Sequence, residues 1–208
     1  RVRTLLAIYK KGAADPTRGN DKGTRLRMAL REIFGHTKMF NFTVVGFAHW
    51  FVMIGFFSLF GTLITAYGQL IDPYFALPVI GHFWVYEYFT ELIAWATGIG
   101  IVTLIGIRQV TRLRNKRSRF YGSGMAKAYY VEFTILLIVF CVVALRGLEG
   151  ALSDETAWNR HYVTTWFIAD MFKSWTLTQL TSTIQLVAAI KIVGSMTWFI
   201  VIASNLTM

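Results

Sequence analysis

Long apolar runs alternate along the chain with short segments that carry most of its charge. Four runs, residues 39–67, 88–109, 127–147 and 179–205, are apolar over a length that suits a membrane-spanning helix, which needs about 20 residues to cross the hydrocarbon core. A shorter stretch, residues 25–35, mixes basic and apolar positions in the manner of an amphipathic helix at a membrane surface. The pattern therefore predicts an all-α fold, a transmembrane helical bundle with four full spans.

The charges that separate these runs are distributed unevenly. Residues 1–38 and 108–127 are strongly basic, whereas the connections 68–87 and 148–178 hold more acidic than basic residues. Because short basic loops remain in the cytoplasm, the basic loops and both ends of this multi-pass chain are predicted to be cytoplasmic. Aromatic residues crowd the acidic connections, as expected for segments at the membrane–water interface.

Composition supports a membrane protein over a nucleic-acid-binding one. Of the 208 residues, 55% are hydrophobic and only 15% charged, although the formal net charge is +10. Soluble domains carry about a quarter charged residues, and no soluble basic domain that could bind nucleic acid is left between the apolar runs. Cys141 is the single cysteine, so it alone cannot hold an iron–sulfur cluster or a zinc ion.

The ends of the chain predict a piece of a longer protein. It begins RVRTLLAIYKKG, without methionine, and stops at SNLTM as an apolar run finishes. We expect residues 1–38 to be a cytoplasmic basic segment that starts with the end of an earlier helix and includes the amphipathic helix. Residues 39–208 form the transmembrane domain, and we expect more protein after Met208.

A histidine stands within the first apolar run, in the stretch GFAHWFVMI at residues 46–54. His49 lies about ten residues, or about 15 Å, from the inner end of the predicted span. An ionisable group at that depth is costly and should face the bundle interior. A neutral imidazole there is a candidate axial ligand for a haem held between helices. The alternative is a histidine that hydrogen-bonds a backbone carbonyl or a serine of a neighbouring helix.

The second ligand of such a haem is not evident in the sequence. The last span has no histidine, and its Met196 is an alternative second ligand at a plausible depth. His36, His82 and His161 lie at other depths, and we assign none of them as a ligand.

Other ionisable residues fall within the spans or at their ends. Lys191, Glu91 and Arg146 could hydrogen-bond a quinone or deliver protons to it, and Glu132 is a further intramembrane carboxylate. The alternative is a structural ion pair inside the membrane, for instance between Lys191 and Glu91.

Four stretches, GFAHWFVMIGFF, AYGQLIDPYFALPVIG, SRFYGS and LRGLEGAL, resemble the membrane domain of actinobacterial heterodisulfide-reductase-like iron–sulfur oxidoreductases. The membrane-bound electron-transfer-flavoprotein dehydrogenases are members of this group. The resemblance extends from about Lys22 to the end of the chain. More distantly, the layout is similar to the haem b membrane subunit, the gamma subunit, of respiratory nitrate reductase.

The resemblance implies a haem b domain in a bacterial plasma membrane, followed after residue 208 by an iron–sulfur domain. Electrons would pass from a soluble donor, an electron-transfer flavoprotein or a similar protein, through iron–sulfur clusters and haem b to menaquinone. His49 would be an axial ligand and its partner would follow Met208. Arg119, in SRFYGS, becomes a candidate for the haem propionates. The nitrate reductase subunit has a second histidine at a position that falls near Leu59 here. This chain has no histidine there, so one haem is expected.

A different class of function remains open from the sequence. The chain could be a non-redox membrane scaffold subunit or a small transporter, with His49 and Lys191 as structural or proton-relay groups. A transporter is expected to have inverted repeats or broken helices near the membrane midplane, and the apolar pattern predicts neither.

Overall fold

A computed structural model describes residues 2–12, 20–114 and 125–207, and the regular secondary structure of these residues is entirely helical. This confirms the all-α prediction. The helices are α1 (Val2–Lys10), α2 (Lys22–Gly35), a short 3₁₀ helix (Met39–Asn41), α3 (Thr43–Ser58), α4 (Phe60–Gln69), α5 (Trp84–Arg114), α6 (Met125–Leu152), α7 (Trp166–Phe172) and α8 (Leu177–Thr207).

Three helices of the described chain are long and apolar enough to cross a membrane: α5 over Trp84–Thr111, α6 over Ala126–Leu152 and α8 over Leu177–Ser204. They extend beyond the predicted apolar runs because a helix continues into the polar residues at each end. A fourth span is present if α3 and α4 count as one, and these two helices meet at an angle of 43°.

The bend between α3 and α4 corrects the sequence prediction of an unbroken span over residues 39–67. No proline causes it; the break lies at Leu59, between Ser58 and Gly61, and glycine and serine are common at helix kinks. The Thr62 hydroxyl donates to the Leu59 carbonyl at 2.6 Å. Lys191 of α8 donates to the Thr62 carbonyl at 2.7 Å, so side chains bond to backbone carbonyls at and just beyond the break.

The spans pack in sequence around the bundle, with α3 against α5, α5 against α6, α6 against α8, and α4 against α8. Small residues allow the closest approach: a Cβ on Gly55 would collide with Thr97 of α5, and one on Gly100 would lie 2.8 Å from the Ala48 carbonyl oxygen. Packing of small residues is a main source of helix association in membranes. Large apolar side chains such as Phe140 point outward, towards the expected lipid.

The bundle has two chemically different ends. The acidic end is where α4 and α6 finish and α5 and α8 begin, and the basic end is where α3 and α6 begin and α5 and α8 finish. Hydrogen bonds between helices join the residues of each end: Gln69 of α4 donates to Glu149 of α6 at the acidic end, and Gln109 of α5 donates to Tyr129 of α6 at the basic end. Helix α2 lies outside the bundle without a buried residue, and the Trp50 ring nitrogen donates to its Phe34 carbonyl at 3.1 Å.

Candidate functional site

An apolar cavity of about 370 Å³ lies between the α3–α4 arm and helices α6 and α8. His49 stands on its α3 wall, while Lys191 and Ser195 stand on its α8 wall. Most of the remaining lining is aliphatic or aromatic, including Ile135 and Trp198. On the two sides of the cavity, α3 packs on α5 and α6 packs on α8.

His36 is the residue near His49 that sequence reasoning left unassigned. The two ring centroids are 5.3 Å apart and the rings are tilted by 31°. His36 caps α2 in the left-handed conformation, with φ 48°, and its Nδ1 lies 2.8 Å from the Ile33 carbonyl oxygen. The turn at 36–42 folds α2 back towards α3, and the apolar periodicity of the sequence does not encode that approach.

The other haem candidates do not meet His49 in this structure. Met196 is on α8 but is 40% exposed and is not part of the cavity lining. Arg119 lies outside the described residues. Within the described ranges, no group of three or more histidine, cysteine or acidic residues could hold a metal ion.

A buried ion cluster at the acidic end centres on Arg146 of α6. The Arg146 guanidinium lies 2.8 Å from the Glu149 carboxylate and 3.5 Å from each of Glu87 and Glu91 of α5. It also donates to the carbonyl oxygen of His161. Glu87 in turn accepts a hydrogen bond from the His161 ring if Nδ1 carries the proton. Three carboxylates therefore surround one guanidinium in a largely buried site.

Both carboxylate oxygens of Glu91 accept hydrogen bonds from the connection between α6 and α7. The Thr164 backbone N–H and hydroxyl each donate to one carboxylate oxygen at 2.7 Å, and the Thr165 hydroxyl donates to the other, also at 2.7 Å. Sequence reasoning identified Glu91 and Arg146 separately as quinone candidates. The structure places them in one ion cluster together with Glu87 and Glu149. The sequence did not identify these two residues as candidates, because they lie at helix ends.

Lys191 does not form the ion pair with Glu91 that was considered as an alternative. Its ammonium group donates instead to the carbonyl and hydroxyl oxygens of Thr62, at 2.7 and 2.9 Å. The side chain is fully buried on α8, and its contacts are with the α4 arm just beyond the bend.

Tyr162 covers Arg146 on the side of the connection between α6 and α7. The guanidinium carbon lies 4.5 Å from the ring centroid, a cation–π contact. Burial raises the pKa of Tyr162 to about 12, although Arg146 opposes the shift. The phenol therefore stays neutral at physiological pH, and the cluster gains no further negative charge from it.

A second, polar cavity of about 260 Å³ adjoins this cluster. Its walls include Gln69, Tyr86, Glu87, Arg146 and Glu149. Lys191 lines this cavity as well as the apolar one and, among the described residues, it is the one side chain that the two linings share.

Comparisons with family models, with curated proteins and with solved structures find no match to this chain.

Proposed function

We propose that the chain is the membrane haem b domain of a quinone-linked oxidoreductase. In this proposal it passes electrons from cytoplasmic iron–sulfur clusters to menaquinone, and the soluble donor is an electron-transfer flavoprotein or a similar protein. The observation that carries the proposal is the apolar cavity with His49 on its wall. The family resemblance supplies the reaction class.

The chemistry of the lining supports a flat apolar macrocycle as the occupant of this cavity. His49 offers an imidazole from α3, and the aliphatic and aromatic walls would exclude water from the group. The Trp198 ring N–H is buried and has no hydrogen-bond partner among the described residues, so it can donate to a polar substituent there. A bound haem b would serve as a one-electron carrier, and its potential would depend on its ligands and on burial.

Among the described residues, His49 is the one histidine in the lining of this cavity. In this proposal the protein binds one haem, and the second axial ligand comes from residues after Met208, as the family resemblance implies. The iron–sulfur domain that delivers electrons would follow in the same chain or belong to a partner.

The proposed orientation puts the basic end in the cytoplasm of a bacterial plasma membrane. Arg25, Arg27 and Arg31 of α2 contribute to the positive charge at that end, and α2 is exposed. Positive charge next to a membrane span favours the cytoplasmic side and attracts the anionic lipid of the inner leaflet.

The test is a reduced-minus-oxidised visible spectrum of the purified full-length protein. We expect a b-type band that is lost in His49→Ala and retained in His36→Ala, the matched control because its ring packs against His49. Absence of the band in the wild-type protein, or its persistence in His49→Ala, would refute the assignment.

The bend at Leu59 supports a second candidate, a small transporter. Helices broken near the midplane often line substrate sites in transporters, and Lys191 bonds the chain just beyond this break. The spectrum separates the two candidates, because a transporter of this kind has no haem b band. Uptake of a labelled solute into proteoliposomes would then be the measurement that supports the transporter.

A further inference from the structure

Three polar side-chain atoms around the polar cavity have no hydrogen-bond partner among the described residues. They are the Gln69 carbonyl oxygen Oε1, the Tyr86 hydroxyl and the Arg146 Nε. All three residues line the cavity, and Gln69 is only 1% exposed. Leaving a buried polar atom without a partner is unfavourable, so three such atoms around one cavity indicate a polar occupant.

The three atoms specify what kind of occupant would satisfy them. Arg146 Nε–H can only donate, the Gln69 oxygen can only accept, and the Tyr86 hydroxyl can do either. A carbonyl oxygen would satisfy the two donors, whereas a hydroxyl group could also donate to Gln69. A quinone headgroup presents carbonyl oxygens when oxidised, which accept from Arg146 and Tyr86, and hydroxyl groups when reduced, which can also donate to Gln69, so the reduced form satisfies all three atoms.

We propose that the polar cavity at the acidic end binds a quinone headgroup, with Tyr86 and Arg146 as donors and Gln69 as acceptor. The choice of a quinone rests on the proposed function. The site differs from the one suggested by the sequence, because Glu91 is occupied by Thr164 and Thr165 and does not line this cavity. Lys191, on the wall shared with the apolar cavity, separates the headgroup from the proposed haem.

The cavity wall also shows how Tyr86 reaches its position. A Cβ on Gly61 would lie 2.6 Å from the Tyr86 hydroxyl oxygen, so the glycine leaves room for the phenol at the start of α4. Tyr86 belongs to the first turn of α5, directly before Glu87, which also lines the cavity. Glu87 is hydrogen-bonded to the partly exposed His161, which links the cavity to the surface of the acidic end.

The experiment titrates the purified full-length protein with a fluorescent hydroxyquinoline N-oxide, a quinone analogue whose emission changes on binding. Tyr86→Phe removes the hydroxyl and should weaken binding about 2- to 13-fold, the equivalent of one hydrogen bond of about 0.5–1.5 kcal/mol. Tyr88→Phe is the matched control: it lies on the same helix, is 40% exposed and is not part of the lining. It should bind like wild type.

Two filling variants distinguish the cavities. Thr65→Leu adds bulk to the polar cavity and should abolish binding, whereas Ile135→Phe fills the apolar cavity and should leave binding intact. Thermal unfolding of each variant, compared with wild type, identifies any that fail to fold, and Tyr86→Phe keeps the ring that packs in place.

The outcomes separate this inference from the proposed function. A b-type band without analogue binding, or binding that Tyr86→Phe and Thr65→Leu leave unchanged, overturns the cavity assignment alone. Binding lost with Ile135→Phe instead places the analogue in the apolar cavity and also overturns it. Analogue binding that depends on Tyr86 in a protein without a haem band would support the ligand site while refuting the haem proposal.

Discussion

Replacing Arg146 by methionine should destabilise the bundle more than any change to an exposed charge. Methionine retains an unbranched apolar side chain but removes the guanidinium that lies within 3.5 Å of three carboxylates. The side chains of Glu87 and Glu91 are only 4% and 0% exposed, so bulk water screens their charges poorly once the cation is lost. The variant leaves two buried carboxylates without their counter-charge.

Removing one partner of a buried ion pair typically costs about 3–5 kcal/mol. For a chain of this length, 1 kcal/mol corresponds to about 2–4 °C in the unfolding midpoint. Arg146→Met should therefore unfold about 6–20 °C below wild type, on the same principles. Glu149→Gln in the Arg146→Met background removes one of the repelling charges and should recover part of the loss.

The chain contains its own reporter for this measurement. Cys141 is the single cysteine of residues 1–208 and is buried in α6, so a thiol-reactive dye labels it only after the bundle opens, and mass spectrometry of the peptide that carries Cys141 follows that labelling in the full-length protein. Lys173→Met is the control, because Lys173 and Asp170 form an ion pair with side chains 60% and 46% exposed; such pairs contribute about 0–1 kcal/mol. An Arg146→Met midpoint as close to wild type as that of Lys173→Met would refute the energetic role given to the cluster.

Two further predictions concern the backbone, and the same Cys141 labelling assay measures both. Gly55→Ala should lower the unfolding midpoint because its Cβ collides with Thr97. Gly106→Ala is the control, since nothing lies within 4 Å of the new Cβ, and it should be neutral or raise stability by up to about 1 kcal/mol. Equal effects at the two sites would contradict the close α3–α5 contact. Val79→Gly should stabilise by about 1 kcal/mol because Val79 has φ 70°, where a β-branched residue is strained, and the residue is 98% exposed. A lower midpoint would show that the valine side chain makes a contact of its own.

The apolar pattern predicted the helical spans, because length and hydrophobicity alone decide whether a segment can cross a bilayer. It could not predict the bend at Leu59. Glycine and serine occur throughout membrane helices, and whether they produce a kink depends on a partner such as Lys191 that lies far away in the sequence.

The residues of the candidate sites were likewise predictable only in part. The depth of His49 along its run marked it as unusual, and it does line a cavity. Arg146 and Glu91 were recognisable as ionisable residues near span ends, but their meeting depends on how α5 and α6 are rotated about their own axes. The parts played by Glu87 and Tyr86 depend in addition on the path of the connections around them, which hydrophobic periodicity does not describe.

The ion cluster also bears on how the chain is made. Glu87 and Glu91 precede Arg146 by 59 and 55 residues, which ribosomes take about 3–12 s to add at typical synthesis rates. During that interval α5 has two carboxylates near one end and no guanidinium to neutralise them. Helix α5 therefore gains its charge partner only when α6 arrives, and we expect Glu87 and Glu91 to become buried only after the two helices have paired as a hairpin.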